Sequence, residues 1–108
     1  MTVLSEPQIA KGLVMAGFHA LSDPLRLQVI ALLQQQELCV CDLCDRLSVS
    51  QSKLSFHLKV LRDAHLLRSR QQGRWIYYSL NPAQLAELEN FISSLRHNCS
   101  QKAASPCP

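Results

Sequence analysis

The stretch Glu37-Leu38-Cys39-Val40-Cys41-Asp42-Leu43-Cys44 sets three thiols within six residues. Thiolates are soft ligands, and three of them match the pyramidal coordination of trivalent arsenic or antimony, whereas structural zinc normally takes four ligands. The CxCxxC spacing therefore points to a metalloid site on Cys39, Cys41 and Cys44 rather than to zinc or core packing. Residues in a regular helix advance by ~100°, so Cys41 and Cys44 share a face while Cys39 stands about 200° from Cys41. Either Cys39 precedes the helix, or gathering the third sulfur unwinds the first turn. Cys41-Asp42-Leu43-Cys44 is also a CxxC pair, the pattern of a thiol oxidoreductase, but no βαβ organisation surrounds it. Sensing of cadmium, lead or thiol oxidation by the same cluster is a further reading. Cys99 and Cys107 bring the cysteine count to five. An odd number suits free thiols or ligands better than a disulfide framework, and these two are candidate extra ligands.

A second group of residues has the chemistry to read a nucleic acid. Ser50, Gln51, Ser52, Lys53, Ser55 and Lys59 place hydroxyl, amide and ammonium groups along one short segment. Such groups at the start of a helix reach phosphates and base edges in the major groove. Phe56 falls on the same outward side, where its ring either meets a thymine methyl or packs against the preceding turn. Downstream, Arg70 and Arg74 flank Gln71-Gln72-Gly73, placed to meet the DNA backbone or a narrow minor groove. His57 lies at the edge of the inward stripe and is read as a packing or capping residue.

These groups need elements to carry them. Ile9, Leu13, Ala16 and Ala20, widened by Val14, Phe18 and Leu21, predict a first helix with apolar surface to spare. Ser22 or Asp23 caps a second helix that starts with Pro24 and is apolar nearly all round from Leu25 to Leu33, which predicts a buried centre. A short helix from about Val40 to Leu47 carries the cysteines and ends in Ser48-Val49-Ser50. Ser50 caps a fourth helix, Gln51 to about Ala64, with Leu54, Leu58 and Leu61 turned inward. Two helices across a tight turn predict a helix-turn-helix.

From Leu66 to Leu80 the pattern becomes two strands around a glycine-containing turn at Gln71-Gln72-Gly73-Arg74. Asn81 and Pro82 start a last helix bearing Leu85, Leu88, Phe91, Ile92 and Leu95, again with surplus apolar surface. The fold class is thus mainly α with a small β-hairpin. Residues 1–97 form one domain, and residues 98–108, without periodicity, form a flexible tail.

Composition bounds the function classes. A chain of 108 residues, 47% hydrophobic, buries one core. Eleven Lys and Arg against eight Asp and Glu give a net charge of +3, consistent with a polyanionic partner. No apolar run approaches the ~18 residues of a membrane span, and Met1 to Glu6 lacks a leader pattern, so a cytoplasmic protein is expected.

The segments ELCVCDLC, SVSQSKLSFHLKVLRDAHLL and RQQGRWIYYSL together resemble the ArsR/SmtB family of metal-responsive repressors, over roughly residues 9 to 95. The resemblance implies a winged-helix homodimer joined through its first and last helices. It also implies binding to double-stranded operator DNA, an imperfect palindrome, without ligand and release with it. ELCVCDLC is similar to the arsenic-sensing branch, whose three thiols correspond to Cys39, Cys41 and Cys44. Cadmium- and lead-sensing relatives add thiols from an N-terminal segment, and no cysteine precedes Cys39 here. Zinc-sensing relatives use Asp and His on the last helix, and Pro82 to Leu95 contains neither. Two positions depart from the family pattern: Phe56 replaces a polar or basic residue, and His65 replaces a glycine after the recognition helix.

Overall fold

The computed structural model describes residues 6–107, with side chains from residue 12 onward. Met1 to Ser5, Pro108 and the side chain of Ile9 lie outside the described residues. The elements run α1 (Glu6–Ala20), α2 (Pro24–Leu33), β1 (Leu38–Cys39), α3 (Val40–Leu47), α4 (Gln51–Asp63), β2 (Leu67–Gln72), β3 (Trp75–Leu80) and α5 (Pro82–His97). Five helices and the β2–β3 hairpin match the sequence reading. The short strand β1 does not: it adds to β3 and makes a three-stranded antiparallel sheet of order β1-β3-β2. Leu38 faces Tyr78 and Cys39 faces Tyr77. Two residues are too few to reveal a strand by alternation, and only the hairpin across from them completes the ladder.

Local chemistry sets the boundaries. The Asp23 carboxylate accepts the Leu25 and Arg26 amide protons at 2.9 and 3.2 Å, capping α2. Ser50 Oγ accepts from the Lys53 amide at 3.2 Å and caps α4. Between α3 and α4, Ser48 takes a left-handed conformation with φ 55°, and the Val49 amide donates to the Cys44 carbonyl at 3.2 Å. Asn81 precedes α5 but its side chain makes no cap. Instead it donates to the His65 carbonyl and accepts from Arg68, tying the two ends of the hairpin together. The hairpin loop is tighter than expected, since Gln72 pairs with Trp75 and only Gly73 and Arg74 remain outside the ladder. Gly73 has φ 62°, a conformation glycine adopts without strain.

The core is centred on Leu43, Leu54, Leu58, Leu61, Leu66 and Val29, all fully buried. They join α2, α3, α4 and the hairpin in one cluster. The expectation that α2 is buried all round is corrected. Val29 and Leu33 face the core, but Leu27 is 50% exposed, because α2 lies at the surface of a small molecule rather than through its middle. Gln84 of α5 is buried and donates to the Leu13 carbonyl of α1 at 2.8 Å and to the Ala64 carbonyl, just past α4, at 3.0 Å. One amide thus fastens the first, fourth and last helices.

Candidate nucleic-acid interface and thiol cluster

Burial of Leu54, Leu58 and Leu61 sets the rotation of α4, and every other choice follows from it. Gln51, Ser52, Lys53, Ser55, Phe56 and Lys59 are exposed, as is Ser50 before them. Ser50 Oγ lies 3.3 Å from Ser52 Oγ, and Lys59 pairs with Asp63 at 2.9 Å. Phe56 is 62% exposed and meets the His57 ring edge-on at 5.3 Å. His57 points inward, as expected: its Nδ1 accepts from Arg26 at 3.0 Å and stands 3.9 Å from the Asp23 carboxylate.

Arg26 was not singled out from the sequence, yet it is buried and holds α4 in place. Its Nε donates to the Ala20 carbonyl at 2.6 Å while its other arm reaches His57. Asp23, which receives the Arg26 and Leu25 amides, is held below the ordinary aspartate range, chiefly by the Arg26 amide hydrogen bond.

Arg74 stands at the tip of the hairpin, over the Trp75 ring at 5.5 Å. Arg70 is placed differently. Its guanidinium makes a two-pronged pair with Glu37 at 2.8 and 2.7 Å, donates to Gln72 at 2.8 Å and covers the Tyr77 ring at 4.6 Å. The Arg70 hydrogen bond is also the main reason that the Glu37 carboxyl titrates below its usual range. Register explains the meeting: Arg70, Tyr77 and Cys39 lie opposite one another across β2, β3 and β1. Glu37 stands two residues before Cys39, immediately ahead of β1.

The three cysteines sit at the junction of sheet and helix. Cys39 is the residue before α3, in extended conformation with φ −84° and ψ 167°. Of the two sequence alternatives for Cys39, the structure has it preceding the helix. Its thiol donates to Asp42 Oδ2 at 3.2 Å. Cys41 is exposed on the first turn, and Cys44, one turn later, is half-buried. Burial pushes the Cys44 thiol up, with Cys41 and Asp45 beside it adding to the effect. Among the described residues no three His, Cys, Asp or Glu side chains are gathered to hold an ion. The donor chemistry suits a thiophilic guest, but Cys39 must leave Asp42 to share one with Cys41 and Cys44. Cys99 and Cys107 are exposed beyond α5, where Cys99 Sγ accepts from Gln101 at 3.2 Å.

Residues 23–69, from the α2 cap into β2, match the family described as "Bacterial regulatory protein, arsR family". An arsenical resistance operon repressor of Escherichia coli (strain K12) is 50% identical over 66 residues, covering 60% of this chain and 56% of that protein. The chain thus spans little more than half the length of that relative. A repressor of the same description from Staphylococcus aureus is 39% identical over 82 residues, covering 73% of this chain and 79% of the relative. The chain belongs to the arsR family. Its winged-helix architecture agrees with an ArsR-like transcriptional regulator from Rhodococcus sp. RHA1, with a TM-score of 0.74 and 26% identity over 81% of this chain and 82% of that one. The matched family is described as regulatory and the relatives as repressors, which lends no support to the oxidoreductase reading of the CxxC pair. In this arsR-family chain no described helix is long and apolar enough to cross a membrane.

Sequence reasoning identified the exposed face of α4 and the hairpin tip. It missed Glu37, Arg26 and Gln84, whose partners lie 33, 31 and up to 71 residues away. His65, the departure from the family's glycine, has φ 63° and occupies the left-handed region. Its amide donates to the Arg62 carbonyl and its carbonyl accepts from the Asn81 side-chain amide, so both bonds use the backbone of residue 65 and neither uses the imidazole.

Proposed function

We propose that this chain is a DNA-binding repressor that releases its operator when trivalent arsenic or antimony is captured by Cys39, Cys41 and Cys44. The observation that carries the reading is the continuity between thiols and DNA reader. The Cys44 carbonyl accepts the Val49 amide that closes the α3–α4 turn, and Ser50 caps α4 immediately afterwards. Exchange of the three hydroxyls of arsenous acid for three sulfurs releases three waters and leaves arsenic trivalent. Drawing Cys39 toward the other two sulfurs breaks its bond to Asp42 and strains the start of α3. The strain passes to the turn that aims α4. Coupling of about 1–3 kcal/mol between sites changes affinity roughly 5- to 150-fold, so no refolding is needed.

Ser50, Gln51, Ser52, Lys53, Ser55, Phe56 and Lys59 supply the groove contacts in this reading, with Arg74 on the flanking backbone. Arg70 joins them once it exchanges Glu37 for a phosphate. Two copies pair through α1 and α5, where Met15, Phe91, Ile92 and Leu95 are exposed apolar residues. A two-fold dimer then meets an imperfect palindrome. Residues 1–97 form this functional domain and residues 98–108 a flexible tail. The protein acts in the cytoplasm, where its thiols stay reduced.

The test is fluorescence anisotropy on labelled duplex from the protein's own promoter. Arsenite and antimonite should reverse binding by the native chain, with cadmium, lead and peroxide less effective. Replacement of all three cysteines by serine should preserve binding and abolish the response; normal release by that variant refutes the proposal.

A further inference from the structure

The outward face of α4 is polar except at one place. Phe56 is 62% exposed, with Ser52 one turn before it, Lys59 one turn after it and Ser55 beside it, all of them exposed. Among the described residues the ring that meets it is that of His57, edge-on at 5.3 Å with 75° between the planes. His57 is itself fixed. Its side chain is 13% exposed and its Nδ1 accepts from Arg26 at 3.0 Å, while Arg26 Nε donates to the Ala20 carbonyl at 2.6 Å. A run of contacts from α2 therefore holds the phenyl ring at a set angle on an otherwise hydrophilic face, which leaves it less rotamer freedom to lose when a partner arrives.

Resting on the reading of α4 as the helix that enters the groove, we infer that Phe56 makes the protein select thymine at one position of each operator half-site, through contact with the 5-methyl group. A phenyl ring carries no hydrogen-bonding group, so it is blind to the donors and acceptors that distinguish the base pairs in the major groove. The thymine methyl is the apolar group displayed there. As the sixth residue of α4, Phe56 stands within its first two turns, the part of a recognition helix that reaches base edges. One ring among hydroxyl and ammonium groups is too small an apolar patch for a protein partner. The same surroundings suit DNA, since Ser52, Lys53 and Ser55 can hold phosphates and base edges on either side of the ring. Removing one methyl from water is worth about fourfold in affinity, and two half-sites together about fifteenfold. Arg26 and His57 are positioning residues in this scheme, aiming a ring that they do not help to read the base.

The experiment compares the full native chain with Phe56→Ser on duplex from the protein's own promoter, by fluorescence anisotropy. Thymines are replaced one at a time by deoxyuridine, which removes the methyl and keeps the base pairing and every hydrogen-bonding group. At one thymine in each half-site the replacement should weaken native binding about fourfold, and about fifteenfold when both are changed. Phe56→Ser should bind the thymine and deoxyuridine duplexes equally at those positions. Because Phe56 lies outside the core, the variant should melt like the native chain by circular dichroism. A C·G pair set at the same position should bind the native chain about fourfold more tightly with 5-methylcytosine than with cytosine, and Phe56→Ser should not tell them apart. Methyl effects that are identical in the two proteins, or absent at every thymine while the native chain binds the duplex, overturn this inference and leave the DNA-binding reading standing. Failure of the native chain to bind its promoter duplex overturns that reading and this inference with it.

Discussion

Gln84→Met removes the two hydrogen bonds that join α5 to α1 and to the end of α4, while keeping a flexible side chain of similar length. The donors lie 2.8 and 3.0 Å from the Leu13 and Ala64 carbonyls, and the residue is 5% exposed, so neither carbonyl gains water freely in exchange. An intramolecular hydrogen bond contributes about 1 kcal/mol net, and a buried group left without its partner raises the loss toward about 1–3 kcal/mol. Two such bonds predict destabilisation of about 2–6 kcal/mol. Leu13 lies inside a helix, where its carbonyl can keep a backbone partner, which favours the lower half of that range. Urea unfolding followed by circular dichroism, at one fixed protein concentration because assembly contributes to stability, should move the midpoint down with an unchanged slope. Gln84→Glu, which puts acceptors where donors are needed and buries a charge, should cost more than the methionine. A Gln84→Met midpoint equivalent to less than about 0.5 kcal/mol, the range of an ordinary surface change, refutes the assignment of this amide as the fastener between the helices.

Asp23 should make stability depend on pH. Its folded pKa is depressed, so the stabilisation is fully present above the ordinary aspartate value and is lost as pH falls through the lowered folded value. Thermal melts across the acid range should therefore show a decline that Asp23→Asn reduces. Exposed Cys41 should be alkylated by iodoacetamide ahead of Cys44, whose thiol is half-buried and pushed up by burial. Peptide mass spectrometry of a time course checks the order, and simultaneous modification counts against the geometry. Glu37→Gln should free Arg70 for phosphate, tightening DNA binding and steepening its salt dependence by about one counterion per chain. Unchanged affinity and slope would mean that Arg70 does not reach DNA.

Much of this molecule is legible without coordinates. The helical spacing of Leu54, Leu58 and Leu61 already turns Ser52, Ser55 and Phe56 outward, because a helix 3.6 residues per turn leaves little freedom once one face is buried. Asp23 with Pro24, and Ser50 before Gln51, mark helix starts through hydrogen bonds made within three residues. The soft character of three close thiols is likewise a property of composition and spacing. Tertiary structure alone decided the rest. Cys39 became a strand residue because β3 lies beside it. Glu37 met Arg70 because the register aligned β1 with the far side of a hairpin 33 residues on. Arg26 and Gln84 look like surface residues in a pattern of polar and apolar letters, and are buried because acceptors from other helices converge on them. Periodicity reports which face of an element is apolar; it carries no information about which distant group will stand opposite, since chain topology settles that.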